Sequence, residues 1–250
     1  MAKFQSYIIC TSPRSGSTLL CGLLAATGTS GNPASYFHTP LIADWLARFD
    51  LSACSYATDR AALRAIFDAA RVCGTAGTGM FGLRLQRHSF AFFMQQLDVL
   101  YPGRATDQAR IRAAFGDTLF IYLTRHNKLD QAISLAMAQQ TGLWHRAPDG
   151  TELERLAQPR DPVYARDEIA GHMAELTALD EAWQAWFARE KIEPVRITYH
   201  ALSAEPTGVL ADILQRLELD PSVAHRIAAP TARLADRTNR DWAERFMAGA

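Results

Sequence analysis

The segment Pro13-Arg14-Ser15-Gly16-Ser17-Thr18 sets a guanidinium, three hydroxyls and a glycine into six consecutive positions. An apolar, partly β-branched run, Tyr7-Ile8-Ile9-Cys10, precedes it, and Leu19-Leu20 opens a helix-compatible stretch behind it. Strand, tight loop, helix is the order in which loop amides and a helix N-terminus converge on one anion. Gly16 lets the backbone approach closely, Ser15, Ser17 and Thr18 add hydroxyl donors, and Arg14 adds a full charge. The loop is not a Walker A sequence, which ends Gly-Lys-Ser/Thr; here Gly16-Ser17-Thr18 lacks the lysine and the charge stands earlier. The same residues also suit an ordinary strand-to-helix turn with a surface arginine.

A second set lies farther on. Arg125 follows Thr118–Thr124, the clearest strand pattern in the chain, and Ser134 interrupts the apolar run Ile133, Leu135, Ala136 nine residues later. Beside Arg125, Ser134 can donate to a phosphate; alone in a helix it can equally return its hydroxyl to the backbone. Arg84 is a charge inside the apolar run Met80–Leu85. At the carboxyl end of a parallel strand it would meet a cleft ligand, and otherwise a salt-bridge partner.

The elements that must position these residues alternate. Strands are expected at Tyr7–Cys10, Met80–Leu85, Thr118–Thr124 and Pro194–Tyr199. Helices are expected at Ser17–Ala26, Thr39–Phe49, Asp59–Val72, Ser89–Leu100, Leu129–Gln140, Asp167–Lys191 and Ala204–Leu217. Gly142 reads as a C-cap, and residues 144–165 as an irregular, mobile substrate loop. Alternation of this kind predicts an α/β fold with a P-loop-like, doubly wound parallel sheet flanked by helices, as one domain over residues 1–250.

Composition narrows the function. The chain has 250 residues, 48% hydrophobic and 21% charged, with Lys+Arg and Asp+Glu both 26. That balance gives no sign of nucleic acid or of an anionic membrane surface. Cys10, Cys21, Cys54 and Cys73 show no CxxC spacing, and no apolar run is long enough to span a bilayer. A cytoplasmic protein with free thiols is expected, with no metal site.

Two blocks carry a resemblance. Pro13 to Thr18 resembles the 5′-phosphosulfate loop of sulfotransferases that use 3′-phosphoadenosine-5′-phosphosulfate (PAPS). Tyr122-Leu123-Thr124-Arg125 through Ser134 resembles their 3′-phosphate block. Arg125 through Ser134, then Gln140-Thr141-Gly142-Leu143-Trp144, is most similar to the bacterial branch named for trehalose 2-sulfotransferase, which includes lipopolysaccharide sulfotransferase-like members. Ala26-Thr27-Gly28 to Pro33 and Ile197-Thr198-Tyr199 fit the same branch. The resemblance implies PAPS as cosubstrate, a carbohydrate or glycolipid hydroxyl as acceptor, and a homodimer. It makes Arg14 and the amides of Ser15 to Thr18 the leaving-group clamp, and Arg125 and Ser134 the holders of the 3′-phosphate. Arg84 is expected on the acceptor side, and Arg237 over the nucleotide.

In that branch a Glu just after the Gly-x-Pro turn acts as catalytic base, whereas here Gly31-Asn32-Pro33-Ala34 is followed by Ser35. His38 is the expected replacement. It precedes Thr39-Pro40, where a helix N-terminus would disfavour an imidazolium by roughly 0.3–1 kcal/mol and leave a neutral, proton-accepting ring. A loop histidine touching only solvent is the plain alternative, and His88, His126 and His145 are rivals. Competing functions are a magnesium-dependent nucleotide phosphotransferase, which would want an Asp where this strand ends Thr124-Arg125, and a nucleotide-binding module without catalysis.

Overall fold

Tyr7, Ile8, Ile9 and Cys10 are all wholly buried, as a central parallel strand must be when helices cover both of its faces. The computed structural model describes residues 3–147, 149–228 and 237–249. In chain order the elements are β1 (Ser6–Thr11), α1 (Ser17–Ala26), α2 (Ile42–Arg48), α3 (Asp59–Thr75), β2 (Phe81–Gln86), α4 (Arg87–Leu100), α5 (Asp107–Phe115), β3 (Thr118–Thr124) and α6 (Lys128–Thr141). They continue as β4 (Leu143–Arg146), β5 (Glu152–Arg155), α7 (Arg166–Glu190), β6 (Val195–Thr198), α8 (Tyr199–Ala204), α9 (Pro206–Arg216) and α10 (Arg237–Met247). The main sheet runs β2-β1-β3-β6 with every neighbouring pair parallel. This is the expected α/β fold, a parallel sheet flanked by helices.

Alternation along β1 divides the core. Ile8 and Cys10 point into an aromatic layer that includes Phe67 of α3, Phe93 of α4, Phe115 of α5 and Trp186 of α7. Tyr7 and Ile9 point into an aliphatic layer with Leu20 and Leu24 of α1 and Ile213 of α9. A third cluster joins Ile133 of α6, Leu176 of α7 and Trp242 of α10.

From β1 the chain crosses to β2 on one side, and from β3 it leaves for β6 on the other. The loops after β1 and β3 therefore diverge, and a crevice opens between the carboxyl ends of those strands.

Three expectations change. The helix expected at Thr39 begins at Ile42; Thr39 gives its carbonyl to Trp45 Nε1 at 2.7 Å, so the segment is a turn held by tertiary packing. Residues 144–165 are not wholly irregular, because β4 and β5 pair as an antiparallel hairpin. The helix expected at Ala204–Leu217 is α9, which opens on Pro206, and a short helix not expected there, α8, precedes it.

Candidate functional site

β1 ends at Thr11, and the next residues must turn into α1 within five positions. Arg14 takes φ 60 and Gly16 takes φ 88, so the loop doubles back through left-handed conformations that only glycine adopts freely. A side chain at Gly16 would also meet the Tyr199 ring, with its Cβ 2.5 Å from a ring carbon. Gly16 caps α1 without a side-chain hydrogen bond, leaving the first amides of the helix directed at the cleft.

Underneath, a buried polar network holds this loop to its neighbours. Asp180 of α7 accepts from Ser12 Oγ at 3.0 Å, from Thr124 Oγ1 at 2.5 Å and from Lys128 Nζ at 2.5 Å. Gln131, wholly buried, donates to Pro13 O at 2.6 Å and to Ser12 Oγ at 3.2 Å. Lys128 also donates to Arg125 O at 2.7 Å. One carboxylate and one amide thus tie the loop after β1 to the loop after β3.

Above that network lies a cleft of about 1110 Å³ whose wall includes Arg14, Gly16, Ser17, Thr18, Arg84, Arg125 and Ser134. The two sequence blocks meet more closely than their separation suggests. Arg14 Nε donates to Ser134 Oγ at 3.0 Å, and its Nη1 donates to Trp144 O at 2.6 Å. Burial, then the nearby charge of Arg125, pushes the Arg14 guanidinium down to about 10. Arg125 lies over the Tyr199 ring at 4.7 Å and within 3.5 Å of Asp130. What the sequence suggests as two separate anion sites is one continuous basic wall. Ser15 differs from expectation: it is wholly buried, its hydroxyl shares a hydrogen bond of 2.5 Å with Thr11 Oγ1, and it is not part of the cleft wall.

On the other side, the turn at Ala34 runs beside β2, with Arg84 N donating to Ala34 O at 3.1 Å. That places Ser35 against Arg84, whose Nε donates to Ser35 Oγ at 2.7 Å. Arg84 Nη1 reaches Thr18 Oγ1 at 3.0 Å and Ser17 Oγ at 3.4 Å. His145 Nε2 is 2.9 Å from Thr18 Oγ1 and 3.4 Å from Glu154 Oε2.

His38 and His88 both line the cleft, exposed and edge to face with centroids 4.9 Å apart. Burial is the first cause lowering both pKa values. With α2 starting at Ile42, the helix-terminus rationale for His38 does not hold. His126 is exposed. Arg237 is an exposed residue at the start of α10, whose contribution to the cleft wall includes Asn239 and Arg240.

Sequence reasoning missed Asp180, Gln131, Lys128, Tyr199 and Glu154. Asp180 had a signal, a carboxylate in register with the apolar stripe of Leu176 and Trp183. Tyr199 had another, its place at the carboxyl end of β6. Among the described residues no group of three or more His, Cys, Asp or Glu is placed to hold a metal ion.

A donor set of guanidinium, hydroxyl and helix-terminal amide groups suits phosphate and sulfate esters, and the comparisons agree with that chemistry. The pattern of the Stf0 sulphotransferase family matches residues 6–249. The trehalose 2-sulfotransferase of Mycobacterium tuberculosis (strain ATCC 35801 / TMC 107 / Erdman) is 30% identical over 264 residues, covering 98% of this chain and 96% of that protein. The trehalose 2-sulfotransferase of Mycolicibacterium smegmatis (strain ATCC 700084 / mc(2)155) is 28% identical over 271 residues, covering 98% and 95%. A sulfotransferase domain from the Synechococcus PCC 7002 olefin synthase aligns with a TM-score of 0.41 and 17% identity over 97% of this chain and 94% of that one. The family pattern runs through nearly the whole sequence, both basic blocks included, and this chain belongs to the Stf0 sulphotransferase family.

Proposed function

We propose that this protein transfers a sulfuryl group from PAPS to a hydroxyl of a carbohydrate or glycolipid acceptor. The carrying observation is the junction of the two strand-end loops, where Arg14 Nε meets Ser134 Oγ at 3.0 Å and Arg125 is near enough to depress the Arg14 guanidinium. Two half-buried positive charges in proximity oppose each other, and an anion between them relieves that cost. A nucleotide phosphorylated at both its 3′ and 5′ positions supplies an anion at each end.

The amides from Ser15 to Thr18 at the start of α1 suit the 5′-phosphosulfate, where charge develops on the departing phosphate. Arg125 and Ser134 suit the 3′-phosphate, which separates PAPS from AMP and ATP, and Arg14, bonded to Ser134, joins them there rather than serving only as the leaving-group clamp that the resemblance implies. Arg84, bonded to Ser35 and Thr18, stands between the donor loop and the acceptor side of the cleft. Holding both reactants in line removes much of the entropic barrier to transfer. The magnesium-dependent phosphotransferase is not favoured, because β3 ends Thr124-Arg125 rather than in a metal-binding Asp.

The names of the relatives support a sugar acceptor, and trehalose is the first to test. A cytoplasmic location suits the free thiols of Cys10, Cys21, Cys54 and Cys73, and a homodimer is part of the same reading, measurable by light scattering. Mass spectrometry of the protein incubated with PAPS and either trehalose or a glycolipid extract tests the transfer. A sulfated product with matching release of 3′-phosphoadenosine-5′-phosphate (PAP) is expected; PAP binding without transfer to any acceptor would favour a non-catalytic module.

A further inference from the structure

We propose that His145 is the general base of this transfer, taking the acceptor's proton while Glu154 balances the imidazolium that forms. The inference rests on reading the cleft as a sulfuryl-transfer site. The β4–β5 hairpin sets His145 opposite Glu154 in its register and brings both into the cleft wall. His145 Nε2 is 2.9 Å from Thr18 Oγ1, at the first turn of α1, where the anion-binding loop ends.

Hydrogen-bond roles are compatible with a neutral ring. Arg84 Nη1 reaches the same Thr18 oxygen at 3.0 Å, and a guanidinium only donates. Thr18 accepts from Arg84 and keeps its own proton to give to His145, the arrangement in which Nε2 carries a lone pair. Burial, then the charges of Arg14 and Arg84, pushes the His145 pKa down to about 4. Those two charges are the ones an anionic donor compensates. With the donor seated, Thr18 can turn its hydroxyl to a donor oxygen and free Nε2. The proton affinity of the ring rises as Arg14 and Arg84 are neutralised, and Glu154, 3.4 Å from Nε2, remains as counter-charge. The base thus becomes effective only in the donor complex.

The step balances. The acceptor O–H proton moves to His145 Nε2 as the acceptor oxygen forms a bond to sulfur. The bond from sulfur to the 5′-phosphate oxygen breaks, and its electron pair stays on PAP. His145 then releases the proton to solvent. His38, exposed and stacked edge-on against a second imidazole, lacks this link to the donor loop.

The charged groups around His145 are Arg14 from the β1–α1 loop, Arg84 from β2 and Glu154 from β5. Nitrogen NMR of the histidine rings in the full chain, titrated with and without saturating PAP, reads the coupling without any acceptor. A His145 pKa that rises by about one unit or more with PAP is expected. In PAPS-to-trehalose assays, His145→Ala should slow transfer by about 10²–10⁴-fold, with PAP affinity nearly unchanged and partial recovery in added imidazole. Glu154→Gln should lose less. The inference is overturned if PAP binds without moving the His145 titration, if His145→Ala loses PAP affinity in step with rate, or if His38→Ala loses more than His145→Ala. Failure of the wild-type chain to bind PAP would instead refute the donor assignment, and the inference with it.

Discussion

Gly16→Ala tests the joint between the anion loop and the 3′-phosphate side. An alanine there must hold φ near 88, a left-handed conformation costing about 1–2 kcal/mol for an L-residue. Its Cβ would also start 2.5 Å from a Tyr199 ring carbon, where ordinary contact begins at 3.4 Å. The ring must move, and overpacking of this kind costs about 1–3 kcal/mol. A combined loss of about 2–5 kcal/mol lowers Tm by about 4–20 °C in a chain of this size. Function should suffer as well, because the displaced ring is the one that carries Arg125 at 4.7 Å. Calorimetric titration with PAP should show affinity weakened by about tenfold, the loss of one charged hydrogen bond. Adding Tyr199→Ala removes the obstacle, so the double variant should melt higher than the sum of the two single effects allows. A Gly16→Ala protein with unchanged Tm and unchanged PAP affinity would refute this reasoning.

Asp180→Ala strips the carboxylate from Lys128, whose side chain is 18% exposed; breaking such a pair costs about 3–5 kcal/mol. A thermal melt should show that loss together with weaker PAP binding, and Asp180→Asn should lose less of both. Burial holds the imidazole of His145 down at about 4 against an ordinary 6.5 and lowers those of His38 and His88. Between those values the unfolded chain binds protons that the fold excludes, so stability should fall as pH drops through that window. Urea midpoints at about pH 7 and about pH 5 measure the fall, which His145→Asn should reduce. Transfer should survive EDTA, since β3 ends Thr124-Arg125; abolished turnover would bring back the phosphotransferase.

Much of the frame was legible in the sequence, for physical reasons. β1 and β3 are short apolar runs bounded by polar or turn residues, β2 is one interrupted by Arg84, β6 alternates apolar with polar residues, and both chemical blocks stand at the carboxyl ends of β1 and β3. Gly142, at φ 72 after α6, could be read as a cap because few other residues close a helix that way. The hairpin was not legible: Glu152-Leu153-Glu154-Arg155 lacks an apolar face and is held by its surroundings, with Arg155 Nη1 donating to Thr141 O at 2.7 Å and Leu156 N to Gly142 O at 2.8 Å. Thr39-Pro40 imitates a helix start, but the Trp45 indole claims the Thr39 carbonyl. The meeting of Arg14 with Ser134 depends on β1 lying beside β3 and on a left-handed arginine, neither of which local pattern reports. His145 could be noticed only as one histidine among several until Thr18 and Glu154 were seen beside it.

Calorimetry of the wild-type chain with PAP and AMP side by side tests the two-ended anion site most directly. PAP should bind at least about tenfold more tightly, the contribution of one charged hydrogen bond of roughly 1.5–3 kcal/mol, and Arg125→Ala should erase most of that preference. Equal affinity for the two nucleotides would contradict the assignment of Arg125, Ser134 and Arg14 to a 3′-phosphate, and with it PAPS as the donor.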